Sequence, residues 1–286
     1  MKAIHLEYAL KGDRLVHISE VERGLKCDCA CPGCGEKMIA RKGEKMSHHF
    51  AHRNAECSHG LETTLHLMAK AVLEQEKKIL LPQVEIPLYY RRNLTISDAI
   101  LIEFDEIFLE TRLDDIVPDV LIRVGERLLM IEIWVTHKID DAKRKKIEDA
   151  GISTIEINLS NENRMIGMDD MRKILLDNVE YKQWVYNKVA MDYKERWLSA
   201  CNVKKTITRG LALHVDGCPI SARVWHGKPY ANVRDDCFIC ASLVEIVHFN
   251  ERMDYSYDEE FLYCCGTTKI QTISELKEYL RRAACK

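Results

Sequence analysis

The sequence predicts an α/β domain that holds itself together by its own core, flanked by two small metal-stapled modules. Three observations predict it. Residues 117–137, VPDVLIRVGERLLMIEIWVTH, place two apolar runs around Gly125-Glu126-Arg127, the pattern of a β-hairpin with two well-buried strands. Around that hairpin lie helical periodicity over 61–80, strand patterns over 99–104 and 106–112, a charged helix over 140–150 ended by Gly151, and a strand over 153–159. The cysteines fall before residue 60 and after residue 200, and the middle of the chain has none.

The chain has 286 residues, 47% hydrophobic and 30% charged, an ordinary globular composition with room for two or three domains. It lacks both a membrane-length apolar run and an apolar segment behind Met1, so a cytoplasmic chain with no membrane partner is expected. A net charge of −3 gives no overall electrostatic case for nucleic acid, which would need a local basic patch. The 12 cysteines of such a chain are expected to be reduced thiols and metal ligands rather than disulfides.

The first module, 1–60, begins with strand-like segments over 3–10 and 14–16. Cys31-Pro32-Gly33-Cys34-Gly35 then forms a knuckle whose glycines let backbone N–H groups turn toward thiolates. With Cys57 and one histidine, His52 or His49, Cys31 and Cys34 make a four-ligand set suited to structural zinc. Cys27 and Cys29 are alternatives to Cys31 that lack the knuckle. Lys37, Arg41, Lys42 and Lys45 form a solvated face, with phosphate contact as the sharper alternative.

Along the helix over 61–80, Leu61, Leu65, Met68, Ala69, Val72 and Leu73 recur at helical spacing, and Glu62, His66 and Lys70 make one polar stripe. Pro82 and Pro87 mark a connection to the strands. In the hairpin, Asp119 follows Pro118 at the mouth of the first strand, and Glu132 interrupts the apolar run of the second. A carboxylate there costs desolvation free energy unless a cation or hydrogen bonds compensate it. Antiparallel pairing about Gly125 brings Asp119 near Glu132, and two carboxylates with water and phosphate oxygen filling the other positions suit Mg²⁺ or Mn²⁺. The plain alternative is a hairpin in which Glu132 pairs with Arg123 or Arg112. The strand over 154–159 is expected to run parallel to 128–135 through a right-handed crossover. Lys143, Arg144, Lys145 and Lys146 on the intervening helix are a solvated face or a track for a phosphate backbone.

Residues 166–200 read as a helical connector, 168–198, whose Trp184, Tyr186, Tyr193 and Trp197 pack into core. The tail, 201–286, offers Cys218, Cys237, Cys240 and either Cys264 or Cys265 as a second structural zinc set in a ribbon-like module. Strands over 222–225, 243–249 and 260–263 would form its sheet, closed by a helix over 274–284.

Pro118-Asp119 followed by Glu132-Ile133-Trp134 resembles the PD-(D/E)XK nuclease signature. Together with Cys31-Pro32-Gly33-Cys34, Lys42-Gly43, His49-Phe50-Ala51-His52, Glu62-Thr63-Thr64-Leu65-His66 and Lys70, it resembles the competence protein CoiA-like family of predicted nucleases, over residues 25–160. The resemblance implies a restriction-endonuclease-like αβββαβ core over 61–165 behind the zinc finger. It also implies Mg²⁺ or Mn²⁺ held by Asp119, Glu132 and the Ile133 carbonyl, with Glu62 completing the site, and hydrolysis of DNA phosphodiester bonds in DNA uptake, recombination or defence against foreign DNA. Trp134 stands where the superfamily has lysine. An indole carries no charge and only donates, so it cannot take that role. Lys70, about 12 Å along the helix from Glu62, is the candidate replacement, with His66 nearer. Lys138 lies roughly 20 Å along an extended strand from Glu132. The rival expectation is a catalytically degenerate zinc-containing module that binds nucleic acid, a protein partner or a second copy.

Overall fold

The computed structural model describes residues 6–44, 46–53, 57, 60–89, 93–162, 166–249 and 259–284. The strand expectation over 3–5, and Lys45 in the basic face, lie outside them. The chain divides into two compact units, Met1–Pro82 with Ala99–Asn187, and Gln83–Asp98 with Lys188–Lys286.

The first unit is built on a five-stranded mixed sheet. Helix α1 (Gly60–Glu76) precedes strands β1 (Glu106–Leu109), β2 (Val120–Val124) and β3 (Arg127–Trp134). Helix α2 (Asp141–Ala150), β4 (Ser153–Asn158), helix α3 (Met168–Leu176) and β5 (Lys182–Tyr186) follow. The spatial order is β5-β4-β3-β2-β1. The β2–β3 hairpin closes at Gly125, whose φ of 58° is a left-handed conformation suited to glycine. Its N–H donates to Asp105 Oδ2 at 2.8 Å. β4 pairs parallel with β3, so the connection through α2 crosses over the sheet, and β5 adds antiparallel to β4.

Alternation along the strands sorts the two faces. Val120, Ile122, Leu129, Ile131, Ile133, Ile155 and Ile157 pack on the buried stripe of α1, Leu65, Met68, Ala69, Val72 and Leu73, and on Met171, Ile174 and Leu175 of α3. Leu121, Met130 and Val185 face Ile147 of α2. By the same parity Glu132 and Glu156 point to the α2 side. α2 is capped by the Asp140 carboxylate, which accepts the Lys143 N–H at 2.7 Å, and ends at Gly151 with φ 64°.

Two segments differ from the periodicity reading. α1 stops at Glu76, Lys77 takes φ 49°, and Lys78–Leu81 becomes a strand paired with Ile100–Glu103, burying Ile79 and Leu81. The stretch 168–198 is interrupted by β5. Lys182 turns its Nζ onto the carbonyls of Ile174 and Asn178, both at 2.6 Å, at the end of α3, and the next residues pair along β4. An aromatic, β-branched run such as Trp184-Val185-Tyr186 satisfies a strand as readily as a helix.

At the N-terminus, Tyr8–Lys11 pairs with Arg14–His17 and Met38–Arg41 with His49–His52, around a small core of Leu6, Ile18, Met38 and Phe50.

In the second unit, helix α4 (Lys188–Ser199), helix α5 (Ile273–Ala284) and the hairpin Val84–Pro87/Asn93–Ser97 share a core centred on Trp197, 2% exposed. β6 (Asn202–Lys205), β7 (Leu243–Phe249) and β8 (Glu259–Cys264) form a sheet in the order β6-β8-β7. Arg223–Trp225 does not join it. That strand lies in a separate four-stranded sheet with Ile207–Arg209, Ala212–Asp216 and Lys228–Asn232. No helix among the described residues is long and apolar enough to cross a membrane.

Candidate functional site

The strongest chemistry gathers where β2 begins and β3 ends. The register Val120↔Ile131 carries one step further to set Asp119 opposite Glu132. Asp119 Oδ2 accepts the Ile133 N–H at 2.8 Å, and Oδ1 lies 3.2 Å from His66 Nδ1 on α1. Glu132 is 5% exposed, and its Oε2 accepts from Lys143 Nζ on α2 at 2.7 Å. The α1 and α2 layers therefore each send a side chain to this end of the sheet.

Burial opposes ionisation of Asp119, but the His66 contact, the Ile133 N–H and the Lys70 charge outweigh it and hold the carboxyl below its ordinary range. Burial lifts Glu132 to about 7 against the pull of Lys143. Among the described residues, the buried side-chain polar atoms with no hydrogen-bond partner are Glu132 Oε1 and His66 Nε2. A buried carboxylate oxygen and a buried imidazole nitrogen are both lone-pair donors, and an imidazole that donates Nδ1–H to Asp119 leaves Nε2 as a ligand. Asp119, Glu132 and His66 thus gather at this end of the sheet, with the His66 charge acting on both carboxyls.

The other candidates sit around this set. Glu62 accepts from the Thr136 hydroxyl, beyond the end of β3. Lys70, with its side chain 6% exposed, pairs with Glu110 at 2.6 Å and reaches Asp119 through charge. Trp134 packs under Lys138, whose Nζ is 5.3 Å from the ring centroid. Neither arginine pairs with Glu132. Arg123 bonds Glu106 at 2.7 Å, and Arg112 lies by Asp115 at 3.8 Å. Lys143 was not singled out from its charged run. The signal that finds it is the first turn of a crossover helix returning over the strand end, on the face that parity gives to Glu132. Glu156, paired with Glu132 in register, accepts the Ile139 N–H at 2.9 Å and fixes the entry to that helix.

A second cluster lies at the start of α1. One ligand atom from each of Cys31, Cys34, His52 and Cys57 falls within 4.8 Å of all the others, and Cys34 Sγ lies 3.3 Å from His52 Nε2. This Cys₃His set could hold structural zinc. His52 lies in this cluster, whereas His49 turns Nδ1 toward the Ser47 carbonyl at 2.9 Å. Cys27 and Cys29 direct their thiols to backbone carbonyls. Gly60 closes the cluster, since a Cβ there would stand 3.2 Å from Cys31 Sγ. In the basic face, Lys42 is tied to the carbonyls of Ser19 and Val21.

Residues 16–60, which include all four of these residues, match the family model of the competence protein CoiA N-terminal domain. The match covers this N-terminal segment alone and marks it as similar to that domain. No curated protein and no solved structure matches the chain.

Proposed function

We propose that the first unit is a divalent-metal-dependent nuclease of the PD-(D/E)XK kind, hydrolysing DNA phosphodiester bonds in DNA uptake, recombination or defence against foreign DNA. The observation that carries this reading is that Asp119, just before β2, accepts the Ile133 N–H beside Glu132, whose Oε1 is buried and unpartnered. The order α1, β1–β3, α2, β4, with β4 parallel to β3, supports a restriction-endonuclease-like core.

Asp119 and Glu132 would hold Mg²⁺ or Mn²⁺, with the Ile133 carbonyl and His66 Nε2 as further donors. When bound, such an ion polarises the phosphate and lowers the pKa of its water. The chain's own residues orient and neutralise. Asp119 fixes the His66 ring, and the Ile133 N–H fixes the Asp119 carboxylate. Lys143 supplies next to Glu132 the positive charge that Trp134 cannot. Lys145 and Lys146, exposed on the same helix, suit contact with the phosphate backbone.

The occupation of Glu132 Oε2 by Lys143 also favours a second reading, a degenerate nuclease fold in which the ammonium replaces the metal and the module only binds DNA or protein. Cleavage of linear, circular and single-stranded DNA, with RNA as control, separates the two. In Mg²⁺ or Mn²⁺ the wild type cuts while folded Asp119→Ala and Glu132→Ala do not; binding without cutting under every condition supports the second reading.

A further inference from the structure

Independently of the nuclease reading, the second unit carries a cavity walled by sulfur. Cys218, Cys237, Cys240 and Cys264 come from four separate positions in the chain and line one cavity of about 30 Å³. That volume admits an ion or a water and no organic ligand. Val215, Leu243 and Leu262 close it, and Lys204 is the charged side chain on its wall.

The backbone around these sulfurs has the form that metal knuckles take. The Cys240 N–H donates to the Cys237 carbonyl at 3.0 Å, and the Leu243 N–H to the Cys240 carbonyl at 3.1 Å. Gly266, at φ 72°, turns its N–H onto Cys264 Sγ at 3.3 Å. A backbone donor on sulfur stabilises a thiolate, the form that ligates metal.

Cys264 and Cys265 part company here. Cys264 ends β8, and Cys265, the next residue, points into the other core, the one around Trp197. Its Sγ accepts the Trp197 indole N–H at 3.0 Å and lies 4.0 Å from Cys201 Sγ. Cys265 is therefore packed away from the cavity that Cys264 lines.

We propose that Cys218, Cys237, Cys240 and Cys264 form a four-thiolate structural zinc site, and that Cys265 is not a ligand. The four sulfurs stand further apart than the N-terminal set, which closes within 4.8 Å, so ligation would draw them inward. The Lys204 ammonium offsets part of the charge of two excess thiolates. The site is closed, with no open coordination position, and its role is to hold the module together.

The test is zinc content and zinc X-ray absorption of the intact wild-type chain. Two zinc ions per chain are expected, with an average shell of three and a half sulfurs and half a nitrogen, the mean of a Cys₃His and a Cys₄ site. Cys237→Ser and Cys264→Ser each drop the content to one, and Cys265→Ser keeps two. One zinc in the wild type with three sulfurs and one nitrogen overturns the site without relying on any variant. Loss of zinc in Cys265→Ser but not in Cys264→Ser overturns the ligand assignment.

Discussion

Lys143 Nζ lies 2.7 Å from Glu132 Oε2, so a helix in one layer supplies the charge at a strand acid that the strand's own sequence leaves to Trp134. Removing that ammonium strands a carboxylate whose side chain is 7% exposed. Lys143→Gln is expected to destabilise the metal-free protein by about 1 to 2 kcal/mol, less than a fully buried pair because the lysine is a third exposed. Urea unfolding measures this. Cleavage is expected to fall about 100-fold and to recover in part in Lys143→Arg, whereas a purely structural lysine would leave cleavage tracking stability.

Glu132 gives the apo protein a specific pH dependence. Its folded-state value of about 7 lies above the ordinary 4.5, so between these values the unfolded chain has lost the proton and the folded chain keeps it. The unfolded state therefore binds fewer protons, and stability falls as pH rises through that window before levelling above it. The loss is at most roughly 3 kcal/mol for a shift of this size. In Glu132→Gln the fall should disappear from pH-dependent denaturation curves.

Under the proposed function the same proton would compete with the cation. Mn²⁺ affinity is expected to rise about tenfold per pH unit below pH 7 and to flatten above it, with Asp119 ionised throughout because its carboxyl is held low. Isothermal titration at several pH values reads this slope directly.

Lys70 and Lys143 should separate in function. Lys70 is held by Glu110 and acts on Asp119 only through charge, whereas Lys143 touches Glu132. Lys70→Ala is expected to lower cleavage with little change in DNA binding, and by less than Lys143→Gln. Parallel cleavage and filter-binding assays compare them.

The Cys₃His set and the acid site share α1, with Gly60 against Cys31 Sγ and His66 on Asp119. Gly60→Ala puts a methyl 3.2 Å from Cys31 Sγ and Leu6 Cδ1, so faster zinc loss to a chelator is expected. Stripping zinc should also weaken Mn²⁺ binding, because α1 then loses the anchor at its first turn.

What was legible in the sequence was local or set by period. The hairpin about Gly125, the meeting of Asp119 with Glu132, the apolar stripe of α1 and the parallel placement of β4 all follow from alternation, turn chemistry and the crossover rule. What was hidden depends on packing between layers. Lys143 looks like its neighbours in a charged run until α2 is laid over β3. β5 was masked because its aromatics fit either period, and the strand is decided by the free edge of β4. The separate placing of His49 and His52 turns on which side of a strand each faces, and that of Cys264 and Cys265 on where the chain leaves β8.

The most direct measurement is a Mn²⁺ titration of the zinc-loaded protein followed by electron paramagnetic resonance, in the wild type, Asp119→Ala and Glu132→Ala. The expected result is a saturable Mn²⁺ site in the wild type that both substitutions abolish while the fold and the N-terminal zinc remain. Equal Mn²⁺ binding in all three, or none in the wild type at any pH above 7, would contradict a catalytic cation at Asp119 and Glu132.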